Sequence, residues 1–107
     1  MAYNHALIVA RVRNRLSQRP RIPLTQLARE LKIDRHTIDR ALIATCGHSY
    51  RHVQQQYLAV RALLLLNESN LSAKQIAAEL GYEVPESLTR FLRKATGRTP
   101  KQFRQIR

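Results

Sequence analysis

The chain has 107 residues, a formal charge of +12 and 44% hydrophobic residues, with only three glycines and four prolines. That length holds about one small domain, or two very small units on a shared connector, and the scarcity of glycine and proline favours an all-helical protein over turn-rich sheets. Cys46 is the only cysteine, which excludes an internal disulfide, and the apolar runs Ala6 to Ala10 and Ala62 to Leu66 are too short for a signal peptide or a membrane span of about 20 residues, so the expected place is the cytoplasm and no membrane partner is expected.

A first helix is predicted from about Asn4 to Gln18, with Ile8, Val9, Val12 and Leu16 on one side and Arg11, Arg13 and Arg15 outside that stripe. Arg19-Pro20-Arg21-Ile22-Pro23 ends it, because proline lacks the helical donor and restrains the residue before it. The next helix spans about Leu24 to Leu31, packing through Leu24, Leu27, Ala28 and Leu31. After the turn Lys32-Ile33-Asp34, Asp34 caps a helix running from Arg35 to about Cys46, whose inward stripe is Ile38, Ala41, Leu42 and Cys46; Gly47 then provides a left-handed stop.

A connector helix is expected over roughly Tyr50 to Leu66, with Val53, Tyr57, Val60 and Leu64 on one flank. Ser72, with Gln75 three residues on, forms a capping box for a helix that buries Ile76, Ala77 and Leu80. Gly81 is the turn glycine. Pro85 suits the first position of the following helix, although Val84 before it is a poor cap. Leu88, Phe91 and Leu92 point inward, Gly97 stops the helix, and Thr99-Pro100 opens a last short one containing Phe103. The expectation is about seven helices: a first subdomain over residues 1–48, a connector over 49–67 and a second subdomain over 68–107.

The two subdomains repeat each other. Leu27-Ala28-x-Glu30-Leu31 returns as Ile76-Ala77-x-Glu79-Leu80 at an offset of 49, whereas Ile38, Arg40, Leu42 and Gly47 return as Leu88, Arg90, Leu92 and Gly97 at 50. The growing offset places one inserted residue in the second turn. Each repeat reads as helix, turn, helix, an arrangement that commonly presents its second helix to DNA. Ala28 and Ala77 stand where the paired helices cross and a larger side chain would separate them. Lys32 holds the place of Gly81, so the first turn is built differently or carries strain.

Charge placement favours a polyanion. Residues 1–21 hold five arginines and no acid, residues 91–107 hold six Lys or Arg and no acid, and the stretch between them is nearly balanced. On the second helix of each unit the residues left outside the apolar stripe are candidates to meet DNA: Arg35, His36, Asp39 and Arg40 in the first, and Glu86, Ser87, Arg90, Arg93 and Lys94 in the second. Arginine can bridge the two acceptors of guanine, and a carboxylate can accept from the cytosine amine. Asp39 and Glu86 equally suit pairing with Arg35 or Arg90, which would only orient those arginines. Lys101, Arg104 and Arg107 read as phosphate contacts or solvated charge.

Ile76-Ala77-x3-Gly81-Tyr82, followed by Leu88-Thr89-Arg90-x-Leu92-Arg93-Lys94-x2-Gly97-x-Thr99-Pro100-x2-Phe103-Arg104, resembles the signature of AraC/XylS-type transcription regulators. The similarity runs back to Asp34 and, more loosely, over nearly the whole chain; Ala62 matches the alanine usual in that family's connector helix. The resemblance implies two helix-turn-helix units whose recognition helices enter successive major-groove segments on one face of the duplex. It places base contacts on His36, Asp39 and Arg40, and on Glu86, Ser87 and Arg90, and it implies transcription activation, often through RNA polymerase. Departures from the family pattern are Leu42, Leu88 and Leu92 at its aromatic positions, Leu58 at its connector arginine, and the acids Asp39 and Glu86. The family's usual effector or dimerisation domain has no counterpart in these residues, as expected either of a short stand-alone member or of a C-terminal part of a longer regulator.

Two other classes of protein compete with this reading. For an enzyme there is no phosphate-cradling glycine loop and no activated nucleophile; His48 and His52 have a metal-binding spacing but no acid or cysteine at a matching position, so neither metal nor cofactor is expected. A basic helical module that binds RNA or protein without specific DNA readout would suit the acids on both recognition helices. However, RNA recognition favours exposed aromatics, and only 6% of the chain is aromatic. Specific double-stranded DNA binding is therefore the expected function. Two tandem reading units would let a monomer occupy an asymmetric site.

Overall fold

The computed structural model describes residues 4–105, which form seven α-helices and no strand. They are α1 (His5–Gln18), α2 (Leu24–Leu31), α3 (Arg35–Cys46), α4 (Tyr50–Glu68), α5 (Ala73–Glu79), α6 (Pro85–Thr96) and α7 (Pro100–Gln105). The chain divides into two units, Met1–Tyr57 and Leu58–Arg107, so the division falls inside α4.

Local chemistry sets the helix ends. The Asn4 side chain accepts from the Leu7 amide and starts α1; Asp34 accepts from the His36 amide at 2.9 Å and starts α3. Ser72 and Gln75 form the full reciprocal box at α5, while Val84 offers α6 no side-chain cap and Pro85 fills its first turn. Gly47 and Gly97 close α3 and α6 at φ of 78° and 81°, where glycine meets no Cβ penalty. Thr99 and Gln102 exchange bonds with each other's amides at the start of α7.

In the first unit α1 and α3 pack together, with α2 against both. Their core is Ile8, Val9, Val12, Leu16, Ile22, Leu27, Leu31, Ile33, Ile38, Ala41 and Leu42, completed by Tyr50 and Val53 from α4; Ala28 and Cys46 pack against it half-buried. In the second unit α5 packs on α6 around Ala62, Leu66, Ile76, Ala77, Leu80, Leu88 and Leu92, with Phe91, Tyr82 and Phe103 at its edge. The leucines at family aromatic positions, Leu42, Leu88 and Leu92, are all fully buried, and truncating any one to alanine would cost about 2–5 kcal/mol.

The connector differs from expectation. It runs two residues further, to Glu68, and in its second half the buried row is Leu58, Ala62 and Leu66, while Val60 and Leu64 are 57% and 47% exposed. Tyr50 and Val53 serve one core and Ala62 and Leu66 another, so the stripe that begins at Val53 has no reason to continue unchanged along the helix. From residue 57 to residue 66 every position but Arg61 is apolar, and periodicity alone cannot select the buried face.

Candidate nucleic-acid interface

Both turns close by the same hydrogen bonds. In the first, Ile33 N–H donates to the Ala28 carbonyl at 3.1 Å and Lys32 N–H to Arg29 at 3.3 Å; in the second, Tyr82 donates to Ala77 at 2.8 Å and Gly81 to Ala78 at 3.1 Å. These are the paired closures that follow a left-handed residue at a helix end. Gly81 adopts it at φ 84°, and Lys32, with φ 56°, is the only non-glycine with positive φ among the described residues. The first turn is thus built like the second, and Lys32 bears the strain. From Lys32 to the start of α3 is three residues and from Gly81 to the start of α6 is four, which locates the inserted residue in the second turn.

With the turns fixed, α3 presents Arg35, His36 and Arg40 to solvent, and α6 presents Glu86, Arg90, Arg93 and Lys94; Ser87 is half-buried. None of these side chains forms an ion pair among the described residues, so the arginines stay available to an external acceptor. An open depression of about 390 Å³ beside the first turn is lined by Thr25, Ala28, Arg29, Lys32, Ile33, Asp34 and Arg35. Its three cations stand next to the N-terminus of α3, where free amides and the helix dipole favour negative charge. Sequence reasoning did not single out Arg29, an exposed cation on α2 like many others.

Asp39 is occupied. Its Oδ1 accepts the Tyr50 N–H at 2.8 Å, and the pairing with Arg35 allowed by the sequence is not formed. Tyr50 in turn donates its hydroxyl to the Ile22 carbonyl at 2.5 Å, where Gln54 Nε2 donates at 2.9 Å. Burial pushes the Tyr50 phenol up to about 12.

Several basic residues read as polyanion-facing are engaged within their own unit. Arg11 donates to the Leu31 carbonyl and Arg13 to Cys46 Sγ, each at 3.4 Å. Glu30 accepts from both Arg15 and Arg19, and from Gln26; the Arg19 guanidinium chiefly holds its carboxyl below the usual range. These arginines still contribute to the long-range positive field. Arg104 departs most from its sequence reading. Nε donates to the Leu66 carbonyl at 3.0 Å, and Nη2 reaches the carbonyls of Ser69 and Leu71. It clamps the C-terminal end of α4, because outward carbonyls and the negative pole of a helix end attract a planar cation. Lys101 is exposed, and Arg107 lies outside the described residues. The rings of His48 and His52 stack with centroids 4.0 Å apart.

Two helix-turn-helix units, each with a charged second helix held outward by an apolar inner face, define the class: a DNA-binding domain of the transcription-regulator kind. Comparison with known proteins agrees. A helix-turn-helix domain family model matches residues 27–106. The helix-turn-helix-type transcriptional regulator YfiF of Bacillus subtilis (strain 168) is 33% identical over 95 residues, covering 89% of this chain; the chain spans 29% of that relative's length. The C-terminal domain of AraT, a response regulator from Geobacillus stearothermophilus, superposes with a TM-score of 0.85 at 25% identity, covering 94% of this chain and 85% of that one. The DNA-binding domain of AdpA, a global transcriptional factor solved in complex with a target DNA, has a TM-score of 0.77 at 23% identity and covers 98% and 93%. The chain belongs to the AraC/XylS-type family of helix-turn-helix regulators, whose sequence-specific DNA-binding region it carries. No helix among the described residues is long and apolar enough to cross a membrane.

Proposed function

We propose that α3 and α6 each read one of two successive major-groove segments of a duplex, the first through Arg35, His36 and Arg40, the second through Glu86, Ser87, Arg90, Arg93 and Lys94. The observation that carries this reading is the repeat itself. Arg40 and Arg90 occupy equivalent places on two helices whose turns close alike, and both are exposed and outside any ion pair among the described residues. An arginine so placed suits guanine, while Lys32 and Arg29 beside the first turn suit the phosphates that set the register. The complex of AdpA with its target DNA, a protein of the same fold, supports duplex DNA as the ligand.

In the same reading the protein acts in the cytoplasm as a transcription activator that touches RNA polymerase, a role supported by family alone. It binds DNA as a monomer, since two reading units in one chain match an asymmetric site. The test is selection of bound sequences from a random duplex pool at near-physiological salt. Two short motifs about one helical turn apart are expected. Binding without enrichment that vanishes as salt rises would sink specific reading and leave a basic helical module for RNA or protein.

A further inference from the structure

The place of Asp39 in the first unit carries an inference about what determines DNA specificity. Helix α4 begins at Tyr50 with no acid in its first turn, and Ser49, the residue before it, makes no side-chain hydrogen bond among the described residues. The acceptor for its first free amide comes instead from the middle of α3, where Asp39 Oδ1 lies 2.8 Å from Tyr50 N. A carboxylate there satisfies an orphan donor and meets the positive end of the helix. Through Tyr50 and Gln54, α4 is also fastened to the Ile22 carbonyl between α1 and α2. The reading helix is therefore tied by one side chain to an element that is itself fastened to the link between α1 and α2.

The repeat shows that this tie belongs to the first unit alone. At the offset of 50, Asp39 corresponds to Thr89 and Tyr50 to Pro100, which has no N–H to donate. Thr89 Oγ1 donates back to the Pro85 carbonyl of its own helix, and α7 is capped locally by Thr99 and Gln102. The acid on α3 and the amide on α4 are thus present together where they bond to each other, and both are missing from the unit that is capped another way.

We propose that Asp39 is a positioning residue, which sets the angle at which α3 presents His36 and Arg40 to the duplex by capping α4, and that it reads no base itself. The proposal rests on the DNA reading above. Asparagine retains the acceptor that caps an amide, but at a base edge it seeks adenine where a carboxylate seeks cytosine. Capping and base reading therefore separate on one substitution.

The test is random-pool selection with the unsubstituted chain, Asp39→Asn and Asp39→Ala, at a temperature well below each variant's unfolding midpoint, with affinities then measured on the selected site. Asp39→Asn is expected to select the same bases and to bind within about threefold of the unsubstituted chain, because its cap persists. Asp39→Ala is expected to bind about tenfold more weakly while still folded, with enrichment flattened in the half read by α3 and kept in the half read by α6. A shift toward adenine at one position in Asp39→Asn would overturn the proposal and make Asp39 a base reader. Unchanged affinity and sequence in Asp39→Ala would overturn it too. If Asp39→Ala does not fold, Asp39→Asn still decides, since retained base preference supports the cap and an altered base refutes it. Absence of any motif with the unsubstituted chain would instead remove the DNA reading beneath the proposal.

Discussion

The hydroxyl of Tyr50 and the carbonyl of Ile22 meet at 2.5 Å inside the first unit, and Gln54 Nε2 shares the same carbonyl at 2.9 Å. Tyr50→Phe removes one donor and leaves the carbonyl satisfied by the other, so the expected loss at neutral pH is about 1 kcal/mol. Alkaline behaviour is the sharper test. Burial raises the phenol from 10.0 to about 12, so the unfolded chain ionises first. The stability of the first unit should stay level below about pH 10 and fall from there toward about pH 12, as protons leave the unfolded state before the folded one. Urea unfolding along that range, compared with Tyr50→Phe, checks it: the variant should lack this alkaline component.

Arg104 holds the carbonyls of Leu66, Ser69 and Leu71. Removing it by Arg104→Ala leaves those groups without their charged donor and should cost about 2 kcal/mol. Arg104→Lys should recover little, because an ammonium cannot span three carbonyls with a planar fork. A phosphate contact would behave otherwise: its loss would reduce the salt slope of DNA binding by about one. With Arg104→Ala the slope should hold and the melting temperature should drop. A reduced slope at unchanged stability would restore the phosphate role.

What the sequence made legible is what neighbours in the chain decide. The span of α2 and α3, the Asp34 cap, the Ser72–Gln75 box and the glycine stops at Gly47 and Gly97 are local, and each has its own residue signature. The charged faces of α3 and α6 were legible as the complement of their apolar stripes. Bonds between distant positions were not. Asp39 to Tyr50 spans 11 residues and Arg104 to Leu66 spans 38, and an exposed-looking Asp or Arg carries no mark of such a partner. The buried side of α4 was illegible for another reason: from Tyr57 to Leu66 every position but Arg61 is apolar, so only the packed core selects Leu58, Ala62 and Leu66 over Val60 and Leu64.

Lys32 occupies a conformation that glycine adopts freely and an L-residue enters at a cost of about 1–2 kcal/mol. Lys32→Gly should relieve that strain, offset in part by the greater freedom of glycine in the unfolded chain, for a net gain of up to about 1 kcal/mol. In a domain of this size that corresponds to a melting temperature higher by a few degrees, about 4–8 °C at the upper limit. DNA binding should move in the opposite direction, because the substitution also removes a cation from the depression beside the first turn. Calorimetry and a salt titration on the same sample separate the effects: higher stability with a slope reduced by about one is expected. Lower stability would show that the Lys32 side chain contributes more to the turn than its backbone strain costs.

Arg40 and Arg90 give the direct comparison between the two units. Both lie exposed on the second helix at an offset of 50, outside any ion pair among the described residues, so truncating either leaves no buried group unsatisfied. Arg40→Ala and Arg90→Ala should therefore melt as the unsubstituted chain does, while each loses ~1–3 kcal/mol of binding to the selected site. The informative quantity is where the loss falls. A base-reading arginine loses preference at one base pair and keeps most affinity for random duplex, whereas a phosphate-binding one weakens all sequences alike. Arg40→Ala is expected to relax one position in the half read by α3, and Arg90→Ala one position in the other half. Equal loss on random DNA in both variants would show that these arginines grip only the backbone. Specificity would then have to come from Arg35, His36, Glu86, Ser87, Arg93 and Lys94, the other residues through which α3 and α6 are proposed to read the duplex.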